Sequence, residues 1–193
     1  MNDLKDGILL IDKPTHMTSF GVVARVRRRL SEEAGKKVKV GHTGTLDPFA
    51  TGLMIIVVGK ACREASRFSK LDKTYEAVIC LGQTSTTGDP EGELTNVNSR
   101  VPSEQEVREA CAAFNGLIEQ TPPIFSAIKI NGQRAYDLAR KGEIPEIPVR
   151  QVTIHSLDIL EYAYPYLRIR THVSSGTYIR TLAQDIGERL ETG

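Results

Sequence analysis

The run Gly41-His42-Thr43-Gly44-Thr45-Leu46-Asp47-Pro48-Phe49-Ala50-Thr51-Gly52 constrains this chain more than any other part of it. A single carboxylate, Asp47, sits in a loop bounded by three glycines, after a basic segment and before the apolar run 53–58. Glycine admits positive φ and lets a ligand approach the backbone closely. Proline at 48 pushes Asp47 into an extended conformation and keeps a helix from absorbing it. An Asp-Pro turn whose side chain bonds only to nearby amides fits the same residues. Taken alone, the loop favours that plainer reading.

A length of 193 residues fits one domain, or one plus a fragment, with room for a sizeable core. Hydrophobic content of 40% with 25% charged residues reads as soluble and globular. No apolar run approaches a membrane span, residues 8–11 are too short for a signal peptide, and Met1-Asn2-Asp3 supplies no basic leader. A cytoplasmic protein is expected. Cys62, Cys80 and Cys111 are odd in number and lack a Cys-x-x-Cys pair, which argues against a disulfide framework or a zinc site. They read as small buried hydrophobes. His16, His42, His155 and His172 are too scattered to suggest a metal, and none is expected. The net charge of +1 hides an asymmetry: Arg25, Arg27, Arg28, Arg29, Lys36, Lys37 and Lys39 face only Glu32 and Glu33. Such a field suits a polyanion, although a solvated helix face is the commoner explanation of a charge run. Here the run leads directly into the Asp47 loop, which tilts the balance toward phosphate contacts.

Residues 7–11 read as a short strand ending in the Asp12-Lys13-Pro14 turn. Thr18 or Ser19 caps a helix with Val22, Val23, Val26 and Leu30 on one face and the arginines opposite. Residues 37–40 alternate as a strand does; 54–58 read as a buried strand, although periodicity leaves a helix open; 61–69 reads as helix. Residues 74–81 read as strand and 82–98 as turns. Ser103 with Glu106 forms a capping box opening a helix through about Phe114, with Gly116 at its C′ position. A hairpin-like turn at Asn131-Gly132 precedes a short helix over 134–141. Residues 149–160 and 166–173 are further strands, and a last helix spans about 177–190. Strands and helices mix without strict alternation, so the expected class is α+β, a largely antiparallel mixed sheet flanked by helices. The Pro- and Gly-rich stretch 120–148 is a candidate inserted lobe.

The pattern G-H-T-G-x-L-D-P-x-A-x-G-L, matched from Gly41 to Leu53, resembles the catalytic motif of the bacterial TruB-type tRNA pseudouridine synthases, which act on uridine 55 in the T arm of tRNA. Five further segments resemble the same family in the same order. They are Leu9-Leu10-Ile11-Asp12-Lys13-Pro14 with Thr18-Ser19; Lys73-Thr74-Tyr75 with Leu81-Gly82-Gln83; and Ser85-x-Thr87-x-Asp89-x-x-Gly92, where serine replaces threonine. Gln120-Thr121-Pro122-Pro123-Ile124-Phe125-Ser126-Ala127-Ile128-Lys129 and Gly176-Thr177-Tyr178-Ile179-Arg180 complete the set.

The resemblance implies a pseudouridine-synthase fold over residues 1–193, incomplete at its C-terminus and lacking the small C-terminal RNA-binding domain. Val173 stands where many relatives carry cysteine. The reaction implied breaks a C–N glycosidic bond, turns the uracil and forms a C–C bond, on a nucleotide extruded from its stack. Asp47 is then the catalytic carboxylate, and attack on C1′, attack on C6 and removal of the C2′ proton all stay open. Arg180 is implied as its partner, since a buried carboxylate lacking a cation becomes protonated. Tyr75 stacks on the uracil and helps remove the C5 proton. His42 occupies the space of the flipped base. Lys13 and Pro14 support the Asp47 loop. The RNA-binding set implied is His42, Lys13, Arg28, Lys129, Arg140 and Tyr178, although core packing or a solvated surface is the ordinary role of such residues. The implied partner is the tRNA T stem-loop, bound by a monomer with no membrane, metal or small-molecule cofactor. Two alternatives remain. One is a catalytically weak tRNA-binding or folding protein. The other is a relative that works with a guide RNA or on ribosomal RNA, though such relatives carry long extra segments.

Overall fold

Successive side chains along β1 (Gly7–Lys13) point to opposite faces, so Leu9 and Ile11 face inward while Ile8, Leu10 and Asp12 stay exposed. The computed structural model describes residues 6–97, 100–126, 128–130, 132–139, 142 and 145–193. The chain divides into two compact units, 1–71 and 72–193.

In the first unit β1 is followed by α1 (Ser19–Ala34), β2 (Val40–His42) and β3 (Gly52–Val58). A 3-10 turn at Gly59–Glu64 and α2 (Ala65–Ser69) complete it, where the sequence predicts one continuous helix. The sheet is antiparallel in the order β1-β3-β2. Its central strand carries Met54, Ile56, Val57 and Val58, all buried. Thr18, not Ser19, caps α1, its hydroxyl accepting from the Gly21 N–H at 2.9 Å. Val22 and Val23 of α1 pack with Val38, Val40, Met54, Ile56 and Val58. The strand predicted over 37–40 begins only at Val40, because the Val38 N–H is taken by Ser31 Oγ on α1 at 3.0 Å.

The second unit contains β4 (Lys73–Cys80), β5 (Gln83–Ser85), β6 (Leu94–Asn96), α3 (Glu104–Ala112), β7 (Gly116–Gln120), β8 (Lys129–Ile130) and β9 (Gln133–Arg134). Then come α4 (Ala135–Ala139), β10 (Arg150–Ala163), β11 (Tyr166–Val173) and α5 (Ile179–Arg189). Four strands pair antiparallel in the order β4-β11-β10-β7, and β5-β6 and β8-β9 form separate hairpins. Val107 from α3 and Leu182 and Ile186 from α5 pack with Ile79, Ile154, Leu167 and Ile169. The α+β class is as the sequence predicts, and every described strand pair is antiparallel.

Two local readings change. The capping box at Ser103 and Glu106 is present, but Gly116 is not a helix terminator. With φ of 101° it opens β7, a strand too short and mixed to read from sequence. Of the cysteines only Cys111 is buried, its thiol pushed up to about 11 by burial; Cys80 is exposed and Cys62 half-buried. The stretch 120–148 holds the β8-β9 hairpin and α4, and residues 127, 131, 140, 141, 143 and 144 lie outside the described residues.

Asp185 on α5 is half-buried, and burial first, then the neighbouring Glu188, pushes its carboxyl up from 3.8 to about 6. A folded-state value above the unfolded one means that the native state holds this proton more tightly. Stability from this group is therefore present below about pH 4 and lost as pH rises through 6. Asp185→Asn is expected to raise the melting temperature at pH 7.5 by about 5 °C, from roughly 1–2 kcal/mol after allowance for partial exposure. Thermal scans from pH 4 to 8 check this; the gain disappears at the acidic end.

Candidate active site

In the first unit the Asp47 loop is held from three sides by residues 13–19. Lys13 ends β1 with no exposed surface, and its ammonium donates to the carbonyls of Pro14 (3.0 Å), Met17 (2.7 Å) and Pro48 (3.1 Å). Ser19 Oγ donates to the Leu46 carbonyl and accepts from the Leu46 N–H, both at 2.8 Å. Thr15 Oγ1 donates to the Phe49 carbonyl at 3.1 Å. Inside the loop the Ala50 N–H donates to the Asp47 carbonyl, and upstream the Thr43 N–H donates to Ile55, each at 3.1 Å. The residues on both sides of Asp47 are thus pinned, so a half-buried carboxylate is held without regular secondary structure. A side chain with no exposed surface does not meet a bound strand. Lys13 therefore acts on the loop, and its inclusion in the RNA-contact set is corrected to the supporting role. His42, half-buried on β2, keeps its Nδ1 buried with no hydrogen-bond partner.

In the second unit Arg180 lies in the first turn of α5. Its Nη1 donates to the Thr87 carbonyl at 2.7 Å and lies 3.3 Å from Asp89 Oδ2. Its Nη2 donates to the Phe125 carbonyl at 2.8 Å. The side chains of Arg180 and Asp89 are only 10% and 8% exposed. Asp89 Oδ1 in turn accepts from Thr87 Oγ1 at 2.7 Å and the Glu91 N–H at 3.0 Å. Ser85 Oγ donates to the Asp89 carbonyl at 2.6 Å. Gly92 closes this loop because nothing larger fits: a Cβ there would lie 2.4 Å from both Ser85 Oγ and Thr87 Oγ1. Gln120, 1% exposed, grips the start of α5 with both ends of its amide, donating to the Tyr178 carbonyl and accepting from the Tyr178 N–H.

Tyr75 is half-buried on β4, packed against the second unit's core. Tyr178 packs its ring against the Arg150 guanidinium at 5.0 Å. Arg28 is exposed on α1 and Lys129 on β8; Arg140 lies outside the described residues. His155 and His172, remote in sequence, meet with ring centroids 4.8 Å apart, and His155 Nε2 lies 3.0 Å from Asp72 Oδ2. No group of three metal-ligating side chains occurs among the described residues. Sequence reasoning gave no role to Asp89 or Gln120. Both stand inside the quoted motifs, where the Thr-x-Asp spacing and a glutamine ahead of two prolines were the available signals.

Removing one partner of a buried ion pair leaves the other charge unmatched, which costs about 3–5 kcal/mol. Asp89→Ala is expected to lower the denaturant midpoint by a corresponding amount. Gly92→Ala should destabilise by about 1–3 kcal/mol through overpacking. A midpoint unchanged in Asp89→Ala would mean that this pair does not hold the start of α5.

A sequence profile of the TruB family pseudouridylate synthase N-terminal domain matches residues 27–179. The chain is 46% identical over 198 residues to the tRNA pseudouridine synthase B of Phocaeicola vulgatus, covering all of this chain and 83% of that protein. To the protein of the same name from Clostridium kluyveri it is 46% identical over 188 residues, covering 97% of this chain and 63% of the relative. Among solved structures, one chain in the crystal structure of a Cbf5-Nop10-Gar1 complex matches with a TM-score of 0.71 at 28% identity, over 98% of this chain and 46% of that one. A chain in the structure of an H/ACA RNP bound to a substrate RNA containing 2'-deoxyuridine matches at 0.66 and 25%, over 97% and 44%. The present chain thus spans less than half the length of either solved chain. With a family profile matched over most of its length and 46% identity to curated members, the chain belongs to the TruB family of pseudouridylate synthases.

Proposed function

We propose that this chain is an RNA isomerase that converts uridine to pseudouridine in tRNA, at position 55 of the T arm. The observation that carries the reading is 46% identity along the whole chain to a relative named tRNA pseudouridine synthase B. The chain in the structure named for an H/ACA RNP shares only 25% identity with it, so the tRNA reading is better supported than a guide-RNA one.

The chemistry balances within the substrate. The C1′–N1 bond breaks, the uracil turns, C1′–C5 forms, C5 loses its proton and N1 gains one. No electron is transferred, so the reaction proposed draws on no cofactor. The target base first leaves its stack at a cost of a few kcal/mol, comparable with the roughly 1–3 kcal/mol that a stacked side chain such as His42 returns. Asp47 acts on this extruded nucleotide; attack at C1′, attack at C6 and removal of the C2′ proton are each within a carboxylate's chemistry. Tyr75 offers a flat ring and a hydroxyl to the uracil, and Arg180 is the cationic member of the proposed catalytic set. Arg28, Lys129, Arg140 and Tyr178 are proposed RNA contacts. The protein works as a cytoplasmic monomer.

The test is release of tritium from C5-labelled uridine in a tRNA transcript. The wild type is expected to release label, and Asp47→Asn to slow release at least about a hundredfold while still retaining tRNA on a filter. A wild type that binds tRNA and releases nothing is a binding protein on a synthase scaffold, and the catalytic reading fails.

A further inference from the structure

The basic segment that the chemistry leaves unused lies wholly within the first unit. We propose that the groove between α1 and residues 37–40 seats the sugar–phosphate strand flanking the target nucleotide, with Phe20 stacking on a neighbouring base. This rests on the reading of the chain as a tRNA synthase.

The groove is open, has a volume of about 470 Å³ and is lined by Arg27, Lys37, Val38, Lys39 and Val40. Its walls are tied together. Ser31 Oγ accepts from the Val38 N–H at 3.0 Å, and Arg27 Nη2 donates to the Val40 carbonyl at 3.1 Å. These contacts run in opposite chain directions, 31 to 38 and then 27 to 40. Moving toward the start of α1 therefore follows β2 toward His42, and about two further helical turns reach Ser19, which grips Leu46 beside Asp47. The basic groove leads to the Asp47 loop within one unit.

Charge along this track is available for a ligand. Lys37 and Lys39 are exposed, and their side chains have no hydrogen bond or ion pair among the described residues; the same holds for Arg25 and Arg28. Arg29 differs, being matched by Glu33 at 2.6 Å. Arg27 is half-buried and donates into the wall, so it braces the groove and the two lysines present the free charge. Phe20 is 63% exposed, with the Arg27 guanidinium 5.8 Å from its ring centroid. An exposed aromatic ring on the same helix as the groove wall, with unpaired lysines lining that groove, is a combination that holds nucleic-acid strands, the cations taking phosphates and the ring a base.

The test is filter binding of a tRNA transcript to the full chain over a salt series. Lys37→Gln/Lys39→Gln is expected to weaken binding at least about tenfold at low salt and to flatten the slope of log K against log salt by about 2. Phe20→Ala should weaken binding about tenfold and leave that slope unchanged, because stacking releases no counterions. All three positions are exposed, so melting temperatures stay near the wild-type value and loss of fold is separable. Wild-type affinity and slope in both variants, with tritium release intact in the wild type, would overturn the groove alone. A wild type that fails to bind tRNA overturns the groove and the function together.

Discussion

An ammonium removed from water is tolerable only where its donors find acceptors, and the first unit is organised around one such group. Lys13 has no exposed surface, and three main-chain carbonyls match the three donors of its ammonium. Two of these carbonyls are local. The third, Pro48, is 35 residues away and adjoins Asp47. Proline suits positions 14 and 48 for a further reason: it offers a carbonyl without an N–H that would need its own partner in a crowded turn. The Asp47 loop is thereby fixed by the end of a strand, and the strand's alternation of exposure decides that residue 13 points inward.

The second unit solves a similar problem with a guanidinium. A planar fork accepts several partners in fixed directions, and Arg180 meets two carbonyls and one carboxylate drawn from two loops. Each loop has its own constraint. Gly92 leaves the volume that a side chain would fill, and Gln120 holds Tyr178 through two main-chain bonds. The position of Arg180 follows from these contacts as much as from the helix that carries it.

Elements declared by local pattern were legible in the sequence. The Ser103–Glu106 capping box, the alternation of β11 and the apolar run of β3 each carry their own signal. What escaped depends on partners distant in the chain. Residues 37–39 alternate like a strand, yet Ser31 takes the amide that a ladder would use. Gly116 carries the positive φ of a helix terminator but begins a strand whose only partner, β10, starts about thirty residues later. The Asp47 loop could be singled out because its motif is contiguous. The role of Asp89 was not, because a buried ion pair spanning 91 positions leaves no trace in spacing.

Net charge misled in the same way, and the ion pairs show why. Several acidic side chains are already committed: Glu76 to Arg168 and Arg170, Glu106 to Arg100, Glu104 to Arg108, Asp6 to Lys60. The two arginines beside Glu76 hold its carboxyl below the usual range, as expected of an acid already serving as a counter-charge. These four acids are matched by five bases, so the pairs take charge of both signs out of the outward field. Along residues 25–39, by contrast, only Arg29 is matched. The potential a polyanion meets is set by what stays unpaired and where it lies, so a chain with a formal charge of +1 presents a concentrated positive face beside the loop that carries its acid.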